Sequence, residues 1–418
     1  MKGDYSMTNK FTAADLLGKP GYGVENLPYG SVYVGETTIP RLVVRLGDHA
    51  INLGSLTSTI GGLSSKAKDA VMDQPNLDAL LAAGRPVWSE LRNWLKRTFT
   101  NPIHTEAVMD VAINVNDVYM AMPFTVGDYV DFYASENHAS NLGRILRPNE
   151  EPLKPNWKHM PVSYHGRAST VFISGTSVYR PKGIRPEAKD TNPSFGPSRR
   201  LDIEAEIGFL VGGSAPQGEV SLAQAAENHL FGVVLFNDWS ARDIQAFEFA
   251  PLGPNLSKSF ASTISAWVVP WDALDAARIT PPSRDKALVS YLDDSNADPY
   301  GLDISVEVYI DDQHISTVPY STMYWTAPQM LAHMTANGAA IRPGDFFGSG
   351  TISGPEPSQC GSLIELTLGG EEPLIARNGE KYSFLQDGQQ VTLRGIAPGP
   401  GGSTISFGKC VGTIYPAT

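Results

Sequence analysis

Short apolar runs, each closed by a glycine- or proline-rich turn, constrain the fold of this chain more than any other feature. The 418 residues include 40 glycines and 31 prolines, and no long heptad or helical repeat is present. Runs of this length between turn residues are typical of β-strands, which predicts a mostly β protein with a few helices. Strands are predicted at 130–135, 170–175, 207–212, 231–236, 264–270, 304–312, 362–370 and 390–396, and helices at 213–230 and 327–337.

The first part of the chain differs in texture from the rest. It holds strand-like runs at 31–36 and 40–53, and then apolar residues that recur at helical spacing between Ala79 and Leu95. We find no group of His, Asp, Glu or Cys at ligand spacing in this part. The pattern predicts a small accessory domain over 1–120, followed by a large mostly β (α+β) domain over 121–418.

Composition excludes several classes of protein. Hydrophobic residues make up 42% of the chain and charged residues 18%, which is ordinary for a folded globular protein. The formal net charge of −12 argues against nucleic acid or an anionic membrane as a partner, so an anionic substrate would need a local basic pocket. The chain has only two cysteines, no apolar segment long enough for a membrane span and no apolar core of a signal peptide. These features predict a cytoplasmic protein.

Three acids alternate in the run LDIEAEIGFLVG, which otherwise predicts a buried strand. Because side chains alternate between the faces of a strand, Asp202, Glu204 and Glu206 are expected on one face. One interpretation is an exposed edge face, where such charges are common. The other is a concave site that holds a hard cation through carboxylate oxygens. The segment by itself leaves both interpretations open.

Further carboxylates lie on or next to other predicted strands. Asp131 is near the end of one strand, and Asp238 directly follows the run FGVVLF, where it could also be a helix N-cap. Together with Glu204 and Glu206 they would repel one another unless a divalent cation neutralised them. An all-oxygen set without Cys or His suits Mg²⁺, Ca²⁺ or Mn²⁺ rather than zinc.

Five blocks of sequence resemble the fumarylacetoacetate hydrolase family, and the resemblance extends over nearly the whole chain. They are DFYASENHASNLG, PVSYHGRAS, LDIEAEIGFLVG, NDWSARDIQ with PLGPNLSKSF, and GSGTISGPEP with SLIEL. The resemblance implies a small SH3-like barrel at the N-terminus and a larger mixed β-roll, in a homodimer. It also implies metal-dependent hydrolysis of a carbon–carbon bond in fumarylacetoacetate to give fumarate and acetoacetate, the last step of tyrosine and phenylalanine degradation.

The resemblance also assigns cation sites. Asp131, Glu204, Glu206 and Asp238 would bind Ca²⁺ or Mg²⁺, whereas Asp202 is not part of that shell and is expected to be a surface or capping acid. A second, weaker cation site would lie near Lys258, Ala261 and Ser262. There the family's usual Gly-Thr is replaced by Ala-Ser.

Catalytic and substrate-binding residues are carried over in the same way. His138 would deprotonate water, since histidine is the side chain that most often acts as a general base, and Glu365 in the predicted SLIEL strand would orient it. The developing oxyanion would be stabilised by Arg242, Gln245 and Lys258. The substrate would be held by Tyr133, Arg147, Tyr164, Gln245 and Thr351, and by Phe249, which stands where the family commonly has a tyrosine.

Two alternatives remain from the sequence. The first is a neighbouring activity of the same superfamily, an acylpyruvate or other 1,3-diketo acid hydrolase or a β-keto acid decarboxylase. The second is a binding or scaffold protein that keeps the fold without catalysis. The presence of His138, Glu365, Arg242 and Lys258 together argues against the scaffold, because a drifted site should have lost at least one of them.

Overall fold

The computed structural model describes residues 20–187 and 192–418. The predicted fold class is confirmed: the chain is built from mixed β-sheets with helices, and its N-terminal part is a curled antiparallel sheet. Residues 1–19 of the predicted N-terminal domain lie outside the described part of the chain. The prediction that no signal peptide is present depends largely on these residues. The domain boundary at residue 120 stays a prediction.

A mixed eight-stranded sheet forms the centre of the protein. Most neighbours are antiparallel, but Phe346–Gly348 runs parallel to Tyr129–Phe132, and Ser262–Ile264 runs parallel to Val171–Ile173. Along the sheet the strands are Ser163–His165, Tyr129–Phe132, Phe346–Gly348, Ala205–Val211, Leu230–Asn237, Ser262–Ile264 and Val171–Ile173. The eighth strand, Val269–Pro270, pairs with the N-terminal half of Leu230–Asn237.

Both faces of this central sheet are buried, which explains why its strands lack a polar face. Phe347 and Phe209 point into a core shared with the C-terminal part of the chain. Their neighbours Phe346 and Leu210 point into a second core shared with the N-terminal part. Strands that are covered on both sides are continuously apolar rather than alternating. The exposed-edge interpretation of the acids in LDIEAEIGFLVG is therefore wrong, and Asp202, Glu204 and Glu206 are all buried.

The N-terminal part packs on one face of the central sheet. Its five strands are antiparallel, in the order Ala112–Asn114, His49–Asn52, Arg41–Leu46, Tyr29–Val34 and Val118–Ala121. The helical pattern predicted between Ala79 and Leu95 forms two helices, because Gly84 adopts a positive φ of 82° between them. The helices here are Leu53–Thr59, Ser65–Asp69, Asp78–Ala83, Arg85–Thr100 and Thr105–Asp110.

A second five-stranded sheet covers the opposite face of the central sheet. Its strands run in the order Gln313–Pro319, Ser305–Ile310, Gln390–Pro398, Thr404–Tyr415 and Ser177–Tyr179. Short two-stranded pairs link the larger sheets: Lys182–Arg185 with Ser194–Pro197, Leu201–Asp202 with Ser240–Ala241, Arg278–Ile279 with Gly301–Leu302, and Leu374–Ile375 with Lys381–Tyr382.

Three predicted elements differ from the structure. The predicted strand 362–370 is wrong, since Leu363–Leu366 is a helix, and short apolar runs cannot be assigned by periodicity alone. The predicted strand 264–270 is divided, and the helix predicted over 213–230 begins only at Leu222. The α-helices of this part are Glu136–Leu146, Leu222–Gln224, Arg242–Glu248, Ala327–Thr335 and Leu363–Leu366, with a π-helical turn at Ala225–His229.

Among the described residues, none of the helices combines the length and the apolar character that crossing a membrane would require.

The contact between the N-terminal helices and the central sheet gives a first prediction. The Trp88 ring packs edge-on against Phe231 with 5.0 Å between ring centroids, its indole N–H donates to the Leu80 carbonyl at 2.6 Å, and Gly212 leaves room for it. We expect Trp88→Ala to lower the free energy of unfolding by about 3–5 kcal/mol, measured by chemical denaturation, because a large buried ring is lost. The exposed Tyr119 is the control, and Tyr119→Ala should change that free energy by less than about 0.5 kcal/mol. Equal stabilities of the two variants would contradict the prediction.

Candidate active site

The predicted carboxylate cluster begins with two acids on neighbouring parts of the central sheet. Asp131 lies on Tyr129–Phe132 and Glu206 on Ala205–Val211, and strand Phe346–Gly348 runs between them. Gly348 has no side chain to fill the gap. A Cβ atom there would lie 2.6 Å from Asp131 Oδ1 and 2.8 Å from Glu206 Oε2. The glycine therefore creates the space in which the two carboxylates face each other.

Two further acids enter from the ends of the adjacent strands. Glu204 immediately precedes the strand of Glu206, and Asp238 immediately follows Leu230–Asn237. The backbone N–H of Asp238 donates to the Glu204 carbonyl at 3.3 Å, which ties the two strand ends together. One carboxylate oxygen from each of Asp131, Glu204, Glu206 and Asp238 lies within 4.8 Å of the others, and all four residues are buried.

The electrostatics of this cluster fit a hard divalent cation. Burial, together with the neighbouring carboxylates, raises the pKa of Asp131 and of Glu206 well above the usual range. Asp131 Oδ1 and Glu206 Oε1 are buried and have no hydrogen-bond partner within the described residues. Leaving charged oxygens in this state is costly, and an all-carboxylate set is what Ca²⁺, Mg²⁺ or Mn²⁺ prefers. The four residues could hold such an ion without rearrangement of the sheet.

Two buried cations partly neutralise the cluster. Lys258 Nζ contacts Glu204 Oε2 and lies 3.0 Å from Asp238 Oδ2, while Arg242 Nη1 lies 2.7 Å from Glu204 Oε1. Burial by itself would raise the pKa of Glu204, but Lys258 and Arg242 outweigh it, and that pKa is lowered. His138 adds to this lowering, so the imidazole lies within electrostatic reach of the cluster. Glu204 therefore remains ionised where Asp131 and Glu206 favour a proton.

The residues of the predicted second cation site surround Asp238. Ser262 Oγ donates to Asp238 Oδ1 at 2.7 Å, and Ala261 is buried beside it. Tyr164, predicted to contact substrate, donates its hydroxyl to Asp238 Oδ2 at 2.7 Å. Ser262, Tyr164 and Lys258 therefore all donate to the Asp238 carboxylate.

His138 and Glu365 form a buried pair next to the cluster. His138 lies in the first turn of Glu136–Leu146, whose N-cap Ser135 accepts from the His138 backbone N–H. Its Nδ1 atom is 2.7 Å from Glu365 Oε2. A carboxylate at this distance fixes the proton on Nδ1 and leaves Nε2 as the basic nitrogen. Burial would raise the pKa of Glu365, but His138 and the surrounding donors outweigh it, and the pKa is lowered.

The carboxylate of Glu365 is saturated by donors that the sequence did not reveal. Ser362 Oγ and Ser353 Oγ donate to Oε2 at 2.7 and 3.0 Å, and Asn141 Nδ2 donates to Oε1 at 2.9 Å. Glu365 lies on the short helix Leu363–Leu366 rather than on the predicted strand. The pattern Ser-x-x-Glu at 362–365 is a helix-start signature that could have predicted this.

Asp202 is the acid whose expected surface position is wrong. It is fully buried and lies on the short strand Leu201–Asp202, which pairs with Ser240–Ala241 instead of continuing into the central sheet. Its carboxylate accepts from the backbone N–H groups of Leu363 and Ile364, so the expected capping role is correct. The strand is interrupted at residues 203 and 204, and Asp202 is not among the four acids whose carboxylate oxygens converge.

Most of the residues predicted to bind substrate lie around the pair and the cluster. The Tyr133 ring packs edge-on against His138 with 5.3 Å between ring centroids. Burial and then the charges of Glu365 and Glu204 raise the pKa of Tyr133, whereas Arg242 and Arg147 lower it, so these groups share one region. Three predicted residues remain. Gln245 Oε1 accepts from Arg242 Nη1 at 3.1 Å, and the buried Thr351 Oγ1 has no partner in the described chain. Phe249 is 46% exposed.

A cavity of about 470 Å³ opens beside the cluster on the side of Tyr164 and Lys258. Its wall also includes His165, Arg167 and Tyr129, and the Tyr129 hydroxyl is buried without a partner among the described residues. Neither Asp nor Glu belongs to the described residues that line this cavity. In a chain with a net charge of −12, a lining that contains Arg167 and Lys258 and no acid is a local exception.

The cation site gives a second prediction. We expect Glu206→Gln to weaken binding of Ca²⁺ or Mg²⁺ to metal-stripped protein by at least about 10-fold, measured by isothermal titration calorimetry. The substitution removes one charge and one ligand oxygen from the space under Gly348. Glu371→Gln, at an exposed acid, is the matched control and should bind as the parent does. Parent-like affinity of Glu206→Gln would exclude Glu206 as a ligand.

Comparisons with known proteins agree over most of the length of the chain. A model described as fumarylacetoacetase N-terminal matches residues 25–123, and a model described as fumarylacetoacetate hydrolase C-terminal matches residues 129–414. The chain is 42% identical to the fumarylacetoacetase of Arabidopsis thaliana and 40% identical to that of Homo sapiens. In both cases 95% of this chain and 96% of the relative are covered.

A solved structure shares the fold. The fumarylacetoacetate hydrolase from psychrophilic Exiguobacterium antarcticum superposes with a TM-score of 0.54 at 14% identity, over 93% of this chain and 99% of that one. Both halves of the chain match their family models, and the curated relatives are covered almost completely. The chain belongs to the fumarylacetoacetate hydrolase family.

Proposed function

We propose that the protein is a fumarylacetoacetase, a hydrolase that cleaves a carbon–carbon bond of fumarylacetoacetate with water to give fumarate and acetoacetate. This reaction is the last step of tyrosine and phenylalanine degradation. The observation that carries the proposal is the buried His138–Glu365 pair beside a four-carboxylate cluster, in a chain about 40% identical to fumarylacetoacetases over 95% of its length.

His138 acts as the general base in this proposal. Nδ1 donates to Glu365, so Nε2 accepts a proton from the water that attacks the substrate carbonyl carbon. The same nitrogen returns the proton to the carbon of the departing acetoacetate enolate, which balances the reaction as addition of one water. Glu365 is a positioning residue, because it orients the imidazole and stabilises its cationic form.

Arg242, Gln245 and Lys258 stabilise the negative charge that develops on the attacked carbonyl oxygen. Arg242 Nη2 is buried and has no partner within the described residues, so it is available to a ligand oxygen. Gln245 Oε1 accepts from Arg242 Nη1, which leaves the Gln245 amide N–H groups free to donate. Fixed donors of this kind need no reorganisation during the reaction and supply a large share of catalysis.

The substrate carries a carboxylate at each end, and separate groups bind them. In this proposal Arg147, Tyr133, Tyr164 and Thr351 hold these ends, and the buried Thr351 hydroxyl, which has no partner among the described residues, is available to a ligand. The cationic cavity beside Tyr164 supports entry of a dianion from that side. Phe249 occupies the family's tyrosine position and provides apolar contact without a hydroxyl.

Asp131, Glu204, Glu206 and Asp238 hold a Ca²⁺ or Mg²⁺ ion in this proposal. When bound, the ion acts as a Lewis acid toward the diketo oxygens and fixes their orientation. A second, weaker cation would be held near Lys258, Ala261 and Ser262 by their backbone carbonyls, and Ser262 in place of the family's threonine keeps a hydroxyl on Asp238.

The remaining assignments concern the setting of the enzyme. The resemblance to the family supports a homodimer, and two unpaired, buried cysteines support the reducing cytoplasm. A hydrolase for other 1,3-diketo acids, a β-keto acid decarboxylase and a non-enzymatic scaffold are not favoured by full-length similarity to fumarylacetoacetases.

The direct test follows the near-ultraviolet absorbance of fumarylacetoacetate with purified protein, with and without a chelator. We expect loss of absorbance, formation of fumarate and acetoacetate in equal amounts, and restoration of turnover after chelation by added Ca²⁺ or Mg²⁺. Consumption of acetylpyruvate, with fumarylacetoacetate left unchanged under every divalent ion, would contradict the proposal and identify a neighbouring hydrolase.

The base assignment makes its own prediction. We expect His138→Ala to lower kcat by about 100- to 10,000-fold, since proton transfer by a positioned base contributes that much. Divalent-ion affinity and thermal stability should stay close to those of the parent. His159→Ala, at an exposed histidine, is the control and should leave kcat unchanged. Turnover in His138→Ala at more than about one third of the parent rate would rule out this base.

A further inference from the structure

Asp202 is the one acid of the LDIEAE segment that neither the cation cluster nor the His138–Glu365 pair uses directly. It is fully buried, and both carboxylate oxygens are occupied by donors. Oδ1 accepts from the backbone N–H groups of Ile203 and Leu363, both at 2.7 Å. Oδ2 accepts from Ile364 N–H at 3.0 Å and from Arg242 Nε at 2.8 Å. Four donors use the full capacity of a carboxylate, so Asp202 has no oxygen left for a metal ion.

One partner of Asp202 is the helix that carries Glu365. Leu363–Leu366 is only four residues long, and its N-cap Ser362 makes no side-chain hydrogen bond to the backbone. A helix of one turn is unstable unless tertiary contacts satisfy its free N–H groups. Asp202 supplies acceptors for two of them, at Leu363 and Ile364. The position of Glu365, and with it the orientation of the His138 ring, therefore depends on Asp202.

The other partner is Arg242, which begins the helix Arg242–Glu248. Its guanidinium donates to three side chains: Nε donates to Asp202, and Nη1 donates to both Glu204 and Gln245. Nη2 remains without a partner within the described residues. The planar guanidinium has a fixed geometry, so anchoring Nε determines where Nη2 points.

We propose that Asp202 is a positioning residue that sets the His138–Glu365 pair and Arg242 relative to one another through one buried carboxylate. The inference rests on the proposed function, in which those two units deliver the base and the oxyanion donor. Both must reach the same carbonyl group from different sides, and an error of about 1 Å in such placement costs on the order of 100-fold in rate.

A purely structural role is the competing explanation, because a buried ion pair also contributes to folding. The two explanations differ in what they predict for other variants. If Asp202 is only structural, its substitution lowers stability. It then lowers kcat by one factor, whether or not Glu365 or Arg242 is also substituted. A positioning role makes the loss depend on Glu365 and on Arg242, because the effect passes through them.

The test uses Asp202→Asn in the full-length protein. An asparagine keeps the shape but places an NH₂ group against either the helix N–H groups or Arg242 Nε. We expect kcat for fumarylacetoacetate to fall by about 100-fold and KM to change by less than about 3-fold. Combined with Glu365→Gln, and separately with Arg242→Lys, the loss should fall short of the product of the single losses by at least about 5-fold.

Asp243→Asn is the matched control. Asp243 is the carboxylate next to Arg242, and it accepts from Ser198 Oγ and from the backbone N–H of Arg199, but it touches neither Glu365 nor the Arg242 guanidinium. Asp243→Asn should leave kcat within about 3-fold of the parent and should combine with Glu365→Gln multiplicatively. If Asp202→Asn does not fold, Asp202→Glu, which keeps the charge but shifts the carboxylate by one methylene, takes its place in the same cycles.

A second readout does not depend on turnover. We expect the proton between His138 Nδ1 and Glu365, whose atoms are 2.7 Å apart, to give a far-downfield NMR resonance that is lost in His138→Ala. Asp202→Asn should shift or broaden this resonance, whereas Asp243→Asn should leave it in place. An unchanged resonance, or kcat losses that multiply in full in both cycles, would overturn the proposal. An inactive parent would contradict the proposed function instead, and the resonance would still decide the role of Asp202.

Discussion

Repulsion among buried carboxylates is the constraint on which the rest of this site depends. Asp131, Glu204, Glu206 and Asp238 converge while buried in the protein, where like charges interact strongly. Lys258 compensates part of this charge, and the raised pKa of Asp131 and of Glu206 marks the part that remains. The site is therefore organised to receive further positive charge at the two acids flanking Gly348.

The central sheet makes such a cluster possible because both of its faces are covered. Phe346 and Phe347 alternate into two different cores, so the strand carries no polar face. Gly348 at its end leaves space next to Asp131 and Glu206. Rigid strands fix the acids more accurately than loops would. The same rigidity keeps the charges close together, because the strands cannot separate without breaking the ladder.

Much of this arrangement could be predicted from the sequence, and the failures have physical reasons. Alternating and continuous apolar runs predicted most of the strands correctly, because burial on one or two faces leaves a direct pattern. The strand predicted around Glu365 was wrong because its helix is stabilised by Asp202, more than 160 residues earlier. No local pattern contains that contact, although Ser-x-x-Glu at 362–365 is a signature of a helix start.

Asp202 and Glu206 show why residue type and spacing do not decide what a buried acid does. They belong to one short segment and are equally inaccessible to water. Asp202 is saturated by four donors, and Glu365 likewise by the His138 ring and three side chains, so both serve as anchors for other groups. Glu206 keeps an oxygen without a donor among the described residues, so that oxygen is available to a cation. The number of donors that the fold delivers to each carboxylate separates the two roles.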